Sequence, residues 1–248
     1  MCGRRKRERE GFHKCNYGDM PQWIMSVIAH QVPRGPGFMV QFHNNGEPLL
    51  SPILTQASAQ FSHCIRCFTT NGKLLMERKN DVIDHFETIS VSIFENDPEA
   101  QEQKDILTQF LIEKGSRLPN VILRFIGNVD PTPYEVLELI HVYRYLHNPD
   151  GSRDYEDRPT IHESGICLDM LHHLAINRFG DVSICVRFDP KKIGVLGNIK
   201  THTLDEIWNG QKRQEWLQHH IEGHRGRVAL CRTCHYWGVP TGKKRKDK

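Results

Sequence analysis

Residues 167–185 read CLDMLHHLAINRFGDVSIC and residues 231–234 read CRTC, so four of the chain's eight cysteines fall in one C-terminal stretch. Between Cys167 and Cys185, an apolar run, a turn at Arg178-Phe179-Gly180-Asp181 and a second apolar run give the pattern of a β-hairpin. Gly180 stands where such a turn needs positive φ, and the returning arm carries Cys185 back toward Cys167. Cys231 and Cys234 form a C-x-x-C turn after a predicted helix, a spacing that lets two thiolates converge on one metal centre. Hairpin pair and turn pair together make a four-sulfur site. Zinc and an iron–sulfur cluster both accept four thiolates, so spacing leaves the metal open.

Between the two pairs lie GVLGNIKTHTLDEIWNG (194–210) and then LCRTCHYW (230–237). This order resembles the SPASM domain, the auxiliary-cluster module appended to many radical S-adenosylmethionine (SAM) enzymes. Twelve residues between Cys167 and Gly180 and four between Gly180 and Cys185 fit that family's spacing, as do Leu196-Gly197-Asn198 and the Leu-Asp-Glu-Ile-Trp-Asn of residues 204–209. Larger SPASM domains carry further cysteines after the C-x-x-C, whereas here His235, Tyr236 and Trp237 follow and no cysteine comes later. The resemblance therefore implies one auxiliary [4Fe–4S] cluster, held by Cys167, Cys185, Cys231 and Cys234.

At 248 residues, with 38% hydrophobic and 25% charged residues, the chain has room for one large domain or for a medium and a small one. No uninterrupted apolar run approaches the ~18 residues of a membrane span, and Met1-Cys2-Gly3-Arg4-Arg5-Lys6-Arg7 lacks the apolar segment of a signal peptide. A cytoplasmic location and no membrane partner are expected. In that reducing compartment, paired cysteines read as metal ligands or buried thiols rather than disulfides. The net charge of +3 is modest, and the basic tail at Lys243–Lys248 and the mixed run at Arg4–Arg9 read as solvated ends, with no nucleic-acid partner expected.

Asp19 to Val32 is a predicted helix, with Asp19 as its cap, Pro21 in its first turn and Ile24, Val27, Ile28 and Gln31 on one face. Pro33 to Gly37 breaks the chain, and Phe38 to His43 is a predicted strand leading into Asn44-Asn45-Gly46-Glu47-Pro48. Such a turn at a strand's C-terminal end exposes backbone carbonyls that can accept from an ammonium group. Next come a helix from Pro52 to Phe61, a strand from Cys64 to Phe68, and Thr69-Thr70-Asn71-Gly72-Lys73-Leu74-Leu75. Cys64 and Cys67, three apart on a strand, point to opposite faces and read as core thiols rather than a metal pair.

A helix ending over Asp81–Phe86 precedes the strand Thr88–Phe94, with Ile89, Val91 and Ile93 on one face and Ser90 and Ser92 on the other. Gln103 to Lys114 is an amphipathic helix, and Val121 to Ile126 a strand interrupted by Arg124, a cation that needs a partner there. His141 to His147 is the last predicted strand, carrying Arg144 and His147, and Asn148 to Pro159 is a turn-rich linker. After the hairpin, Thr203-Leu-Asp-Glu206 is a capping box opening a helix that buries Ile207, Trp208 and Leu217, while His219, His220 and His224 are expected to be exposed near its end.

Alternating strands and helices predict an α/β chain with a parallel sheet. The Gly-Glu-Pro, the Thr-Asn-Gly and the SPASM-like order together resemble the radical SAM superfamily. That resemblance implies a partial (β/α) barrel over residues 1–158, lacking its first strand, a cluster domain of β-hairpin and helix over 159–240, and a basic tail over 241–248. It further implies that Gly46, Glu47, Pro48, Asn71 and Ser92 bind SAM. Arg124 is a candidate for the SAM carboxylate, with an internal salt bridge as the alternative. Cys2 resembles the third cysteine of the C-x-x-x-C-x-x-C loop that holds the catalytic cluster, which implies a shortened N-terminus with the first strand and two cysteines upstream, and a catalytic cluster expected only where those cysteines are present. The implied activity is reductive SAM cleavage and hydrogen abstraction from a peptide, protein or small-molecule substrate, with flavodoxin or ferredoxin as electron donor. The competing class is a non-catalytic protein whose four C-terminal thiolates bind zinc and whose basic ends touch nucleic acid.

Overall fold

The computed structural model describes residues 18–35, 37–44, 46–144, 166–186, 189, 191–232 and 234. In chain order its elements are α1 (Gln22–Gln31), β1 (Met39–Gln41), α2 (Leu54–Gln60), β2 (Ile65–Thr70), α3 (Lys79–Val82), β3 (Thr88–Phe94), α4 (Ala100–Lys114), β4 (Asn120–Ile126) and β5 (Ile140–Arg144). The C-terminal part holds α5 (Leu168–His172), β6 (Ala175–Ile176), β7 (Asp181–Ser183), β8 (Val195–Asn198), α6 (Leu204–Asn209) and α7 (Gln211–Ile221). They form two units, one from residues 33–144 and one that joins residues 18–32 to 166–234.

The larger unit is a five-stranded, all-parallel sheet in the order β1-β2-β3-β4-β5. Each strand neighbours the next in sequence because each connection passes over one face and returns. That face is apolar: Phe68, Ile89, Val91, Ile93, Leu123 and Phe125 are buried there with Leu107 and Phe110 of α4. By register Thr69 lies beside Ser90 and Ser92 beside Arg124, so the opposite face carries hydroxyls and a cation at these positions of β2, β3 and β4.

The smaller unit is a three-stranded antiparallel sheet, β6-β7-β8, packed against helices. The turn expected at 178–181 lies one residue earlier, at 177–180, with Asp181 already in β7, and Gly180 takes φ +84° there. The first arm is not a continuous strand, however. Leu168–His172 is helical, and only Ala175–Ile176 pairs with β7. The capping box is present: the Thr203 hydroxyl accepts the Glu206 N–H at 3.2 Å and the Glu206 carboxylate accepts the Thr203 N–H at 2.7 Å.

One expectation for α1 is corrected: Asp19 does not cap it; the helix begins after Pro21, with no side-chain cap. Ile24, Val27 and Ile28 lie against Val182, Ile199 and Ile207, and Gln31 Oε1 accepts the N–H of Leu204, the first residue of α6, at 2.6 Å. The predicted face is thus the buried one, but its partner is the C-terminal sheet.

No helix among the described residues is long and apolar enough to cross a membrane. The expected linker from 148 to 159, the boundary at 158 and 159, His147, and the tail from 241 to 248 lie outside the described residues.

Ile24 is 1% exposed, and truncating it leaves a cavity that costs about 2–5 kcal/mol. Ile24→Ala is therefore expected to destabilise the C-terminal unit. Amide exchange should accelerate at Val182 and Ile199 and stay unchanged in β3 and β4; acceleration confined to the parallel sheet would contradict this packing.

Candidate functional site

The four C-terminal cysteines come from three segments. Cys167 immediately precedes α5, Cys185 follows β7, and Cys231 and Cys234 stand on successive turns in which Cys231 N–H donates to Val228 O and Cys234 N–H to Cys231 O. None of the four is joined in a disulfide, and all four line one small pocket with Asp169, Met170, Ile184, His220, Arg225 and Leu230. Met170, Ile184, Val228 and Leu230 form a buried apolar floor beneath it. Burial, with the Asp169 carboxylate adding, pushes the Cys167 thiol up, so metal binding would release protons there. Among the described residues no three His, Cys, Asp or Glu side chains are grouped to hold a single ion. Four thiolates around either kind of centre carry net negative charge. The Arg225 guanidinium, 2% exposed in the cavity wall, supplies the opposite charge and donates to Cys234 O at 2.8 Å. The donor set and its surroundings fit an iron–sulfur cluster.

His220 departs from the exposure expected of it; it is fully buried. On α7 it shares a stripe with Arg213, Trp216 and Leu217, and its Nδ1 accepts the Cys167 N–H at 3.3 Å. Burial, with Arg225 and His219 adding, pushes its pKa down to about 4, so the ring is neutral at pH 7. His224, in contrast, is half exposed and sits 3.5 Å from Glu222. Trp208 and Leu217 are half buried, and the Arg213 guanidinium lies 3.4 Å from the centroid of the Trp208 ring. Arg213 also donates to Met170 O at 2.9 Å, which ties α7 to the helix that follows Cys167.

The hairpin is set by Asp181. Its carboxylate accepts from Asn177 Nδ2 at 3.0 Å and Asn198 Nδ2 at 2.9 Å, and pairs with Lys192 at 2.8 Å. Asn198 also donates to Phe179 O, and a β-carbon on Gly180 would meet its Oδ1 at 2.9 Å. The neighbouring Gly197 lets Ile207 approach, since a β-carbon there would meet Ile207 Cγ1 at 3.0 Å. The Leu-Gly-Asn motif is thus a packing contact followed by a latch on the turn.

In the larger unit, Gly46-Glu47-Pro48 follows β1, and Pro48 opens a single 3₁₀ turn. The Glu47 carboxylate accepts the Leu49 N–H at 3.1 Å, the Thr70 hydroxyl at 2.7 Å and the Asn71 N–H at 2.9 Å. It fastens the turn after β1 to the turn after β2. Gln103 of α4, fully buried, donates its amide to Asn71 O and Ser92 O and so connects that second turn to β3. Arg124 stands beside Ser92 in the ladder and donates to Thr69 Oγ1 at 2.9 Å, while Thr69 N–H donates to His43 Nδ1 at 3.2 Å. Burial, with Arg124 adding, pushes His43 down to about 4. The structure therefore gathers Gly46, Glu47, Pro48, Asn71, Ser92 and Arg124 toward the C-terminal side of the first four strands. Cys64 and Cys67 are buried, and burial pushes Cys67 up to about 11. Cys2, Cys15, Asn45 and His235 to Trp237 lie outside the described residues.

Reading the sequence does not single out Gln103, Thr70 or His43 for these roles. Only Gln103 carries a signal: it shares a helical stripe with Leu107 and Phe110, and a polar residue there must find partners.

Residues 167–235 match the SPASM iron–sulfur cluster-binding domain. Among solved structures the chain is similar to BtrN in complex with AdoMet and 2-DOIA, with a TM-score of 0.60, 17% identity, and coverage of 92% of this chain and 85% of that one. Selenomethionine BtrN in an open conformation gives 0.53 and 18%, covering 95% and 94%. Histidine-tagged anSMEcpe with bound AdoMet gives 0.57 and 12%, covering 94% and 81%. No curated protein matches the sequence. The chain has the fold of radical SAM enzymes. Its C-terminal unit carries a SPASM domain.

Asp181 is pushed up by burial, but the Lys192 ammonium and the Asn177 and Asn198 amides outweigh this and hold it below the usual carboxylate range. A depressed folded pKa contributes stability above the unfolded value of ~3.9, and that stability is lost as pH falls through the folded value. Acid titration should therefore destabilise the native chain below about pH 4 more steeply than Asp181→Asn, which is less stable at neutral pH. Parallel curves would exclude Asp181 as the fastening.

Proposed function

We propose that this protein is a radical SAM iron–sulfur enzyme of oxidoreductase or maturase type. The observation that supports it most is the set of four cysteine thiols from three segments lining one cavity within a SPASM domain. In this reading Cys167, Cys185, Cys231 and Cys234 hold an auxiliary [4Fe–4S] cluster, and Cys2 is a ligand of the catalytic cluster. A reduced catalytic cluster with bound SAM supplies the one-electron chemistry that begins hydrogen abstraction from a substrate C–H bond.

The chain's own residues bind and orient. Glu47 is already committed to Leu49, Thr70 and Asn71, so it shapes the Gly46-Glu47-Pro48 turn and leaves the turn's backbone carbonyls to receive the SAM ammonium. Arg124 pairs with the SAM carboxylate, and Thr69 holds its guanidinium in place. Ser92 lies beside it in the ladder, in reach of the ribose by resemblance to the family. The substrate is a peptide, protein or small molecule, and the electron donor is a flavodoxin or ferredoxin in the cytoplasm.

Iron, sulfide and zinc are to be measured, with the absorption spectrum, on anaerobically purified and reconstituted protein. Bound iron and acid-labile sulfide that fall sharply when Cys231 and Cys234 become alanine are expected. One tightly bound zinc with no iron would overturn the proposal in favour of a zinc-stabilised binding protein. Arg124→Leu is expected to weaken SAM binding about 10- to 100-fold in equilibrium dialysis, the loss of a charge-assisted contact, with iron content unchanged.

A further inference from the structure

His220 is held from one side only. Its Nδ1 accepts the Cys167 N–H at 3.3 Å, which places the imidazole proton on Nε2. That Nε2 is buried without a hydrogen-bond partner, on a residue with no exposure at all, and the ring lines the cavity shared by the four cysteines. A buried N–H with no acceptor is destabilising. The fold nevertheless spends a position on the buried stripe of α7 to place it there, where Arg213, Trp216 and Leu217 fix the helix.

The acceptor side chains lining that cavity are the four cysteine sulfurs and the Asp169 carboxylate, which stands against Cys185. A thiolate or a cluster sulfide becomes more electron-rich on reduction and takes a stronger hydrogen bond. A donor aimed at it therefore favours the reduced state and raises the reduction potential. Cys185 has a different neighbour, the Asp169 carboxylate at 3.9 Å, whose negative charge acts in the opposite sense. Resting on the cluster assignment made above, we propose that His220 donates its Nε2 hydrogen to a sulfur of the cluster held by Cys167, Cys185, Cys231 and Cys234, and so sets that cluster's potential. It is a positioning and tuning residue, not a fifth ligand.

The test uses the full chain, reconstituted with iron and sulfide and labelled with ¹⁵N-histidine. Pulsed electron paramagnetic resonance of the reduced C-terminal cluster should show a weak ¹⁵N coupling and an exchangeable proton. Both should persist in His235→Ala and vanish in His220→Gln. In a redox titration His220→Leu, with iron content retained, should shift the midpoint to a more negative potential. A strong, directly bonded ¹⁵N coupling would make His220 a ligand and overturn the donor role. Absence of any histidine coupling in the native protein would overturn it as well, even if His220→Leu failed to fold, and would leave the four-cysteine site standing. A native chain that takes up no iron at this site would overturn both.

Discussion

The carboxylate of Asp181 receives the side chains of Asn177, Asn198 and Lys192. Where Cys185 ends up follows from that convergence. A turn of four residues and a two-residue strand have too little ladder to fix their own register, since a short hairpin is marginal in water. The charge at Asp181 supplies what the ladder lacks. It joins the turn to β8, and β8 brings Gly197 against Ile207. From α6 the chain continues into α7, where Arg213 reaches back to Met170 beside Cys167. The cavity walls are thus connected through polar contacts as well as through the apolar floor.

The larger unit solves a similar problem with a different group. Its strands end in turns that no ladder orders, and Glu47 and Gln103 serve as the cross-links between them. Both hold backbone and hydroxyl groups of neighbouring turns, so each acts on the site by shaping it. Arg124, on the neighbouring strand, is itself held by the Thr69 hydroxyl.

Much of this was legible in the sequence, and the exceptions have physical causes. β3 alternates apolar and polar residues because one face is core and the other is not, and that period of two survives in TISVSIF, whereas in NVILRFI only Arg124 interrupts an apolar run. The cysteine spacing and the Leu-Gly-Asn could be read because their order resembles that of a known domain, although Asn198 reaches partners 17 and 19 residues away. Ile24, Val27 and Ile28 gave the buried face of α1, but a stripe of apolar side chains does not say which surface will cover it. Leu168–His172 read as an extended arm because a single helical turn has too few residues to display a period. His220 read as a surface histidine for a related reason: its partner is a backbone N–H 53 residues away, and nothing local announces that.

The seating of α1 on the C-terminal sheet has a consequence for how the chain is made. On the ribosome α1 emerges ahead of the other described elements, while Val182, Ile199 and Ile207, the surface that covers it, are synthesised far later. Gln31 meets Leu204 across 173 residues, a closure whose entropy alone costs roughly 4–5 kcal/mol. The parallel sheet, by contrast, is built from neighbours in sequence and can assemble as it leaves the exit tunnel. During that interval the apolar side of α1 is without its cover. Nascent-chain chaperones that shield such faces have their longest window here, between the synthesis of α1 and that of α6.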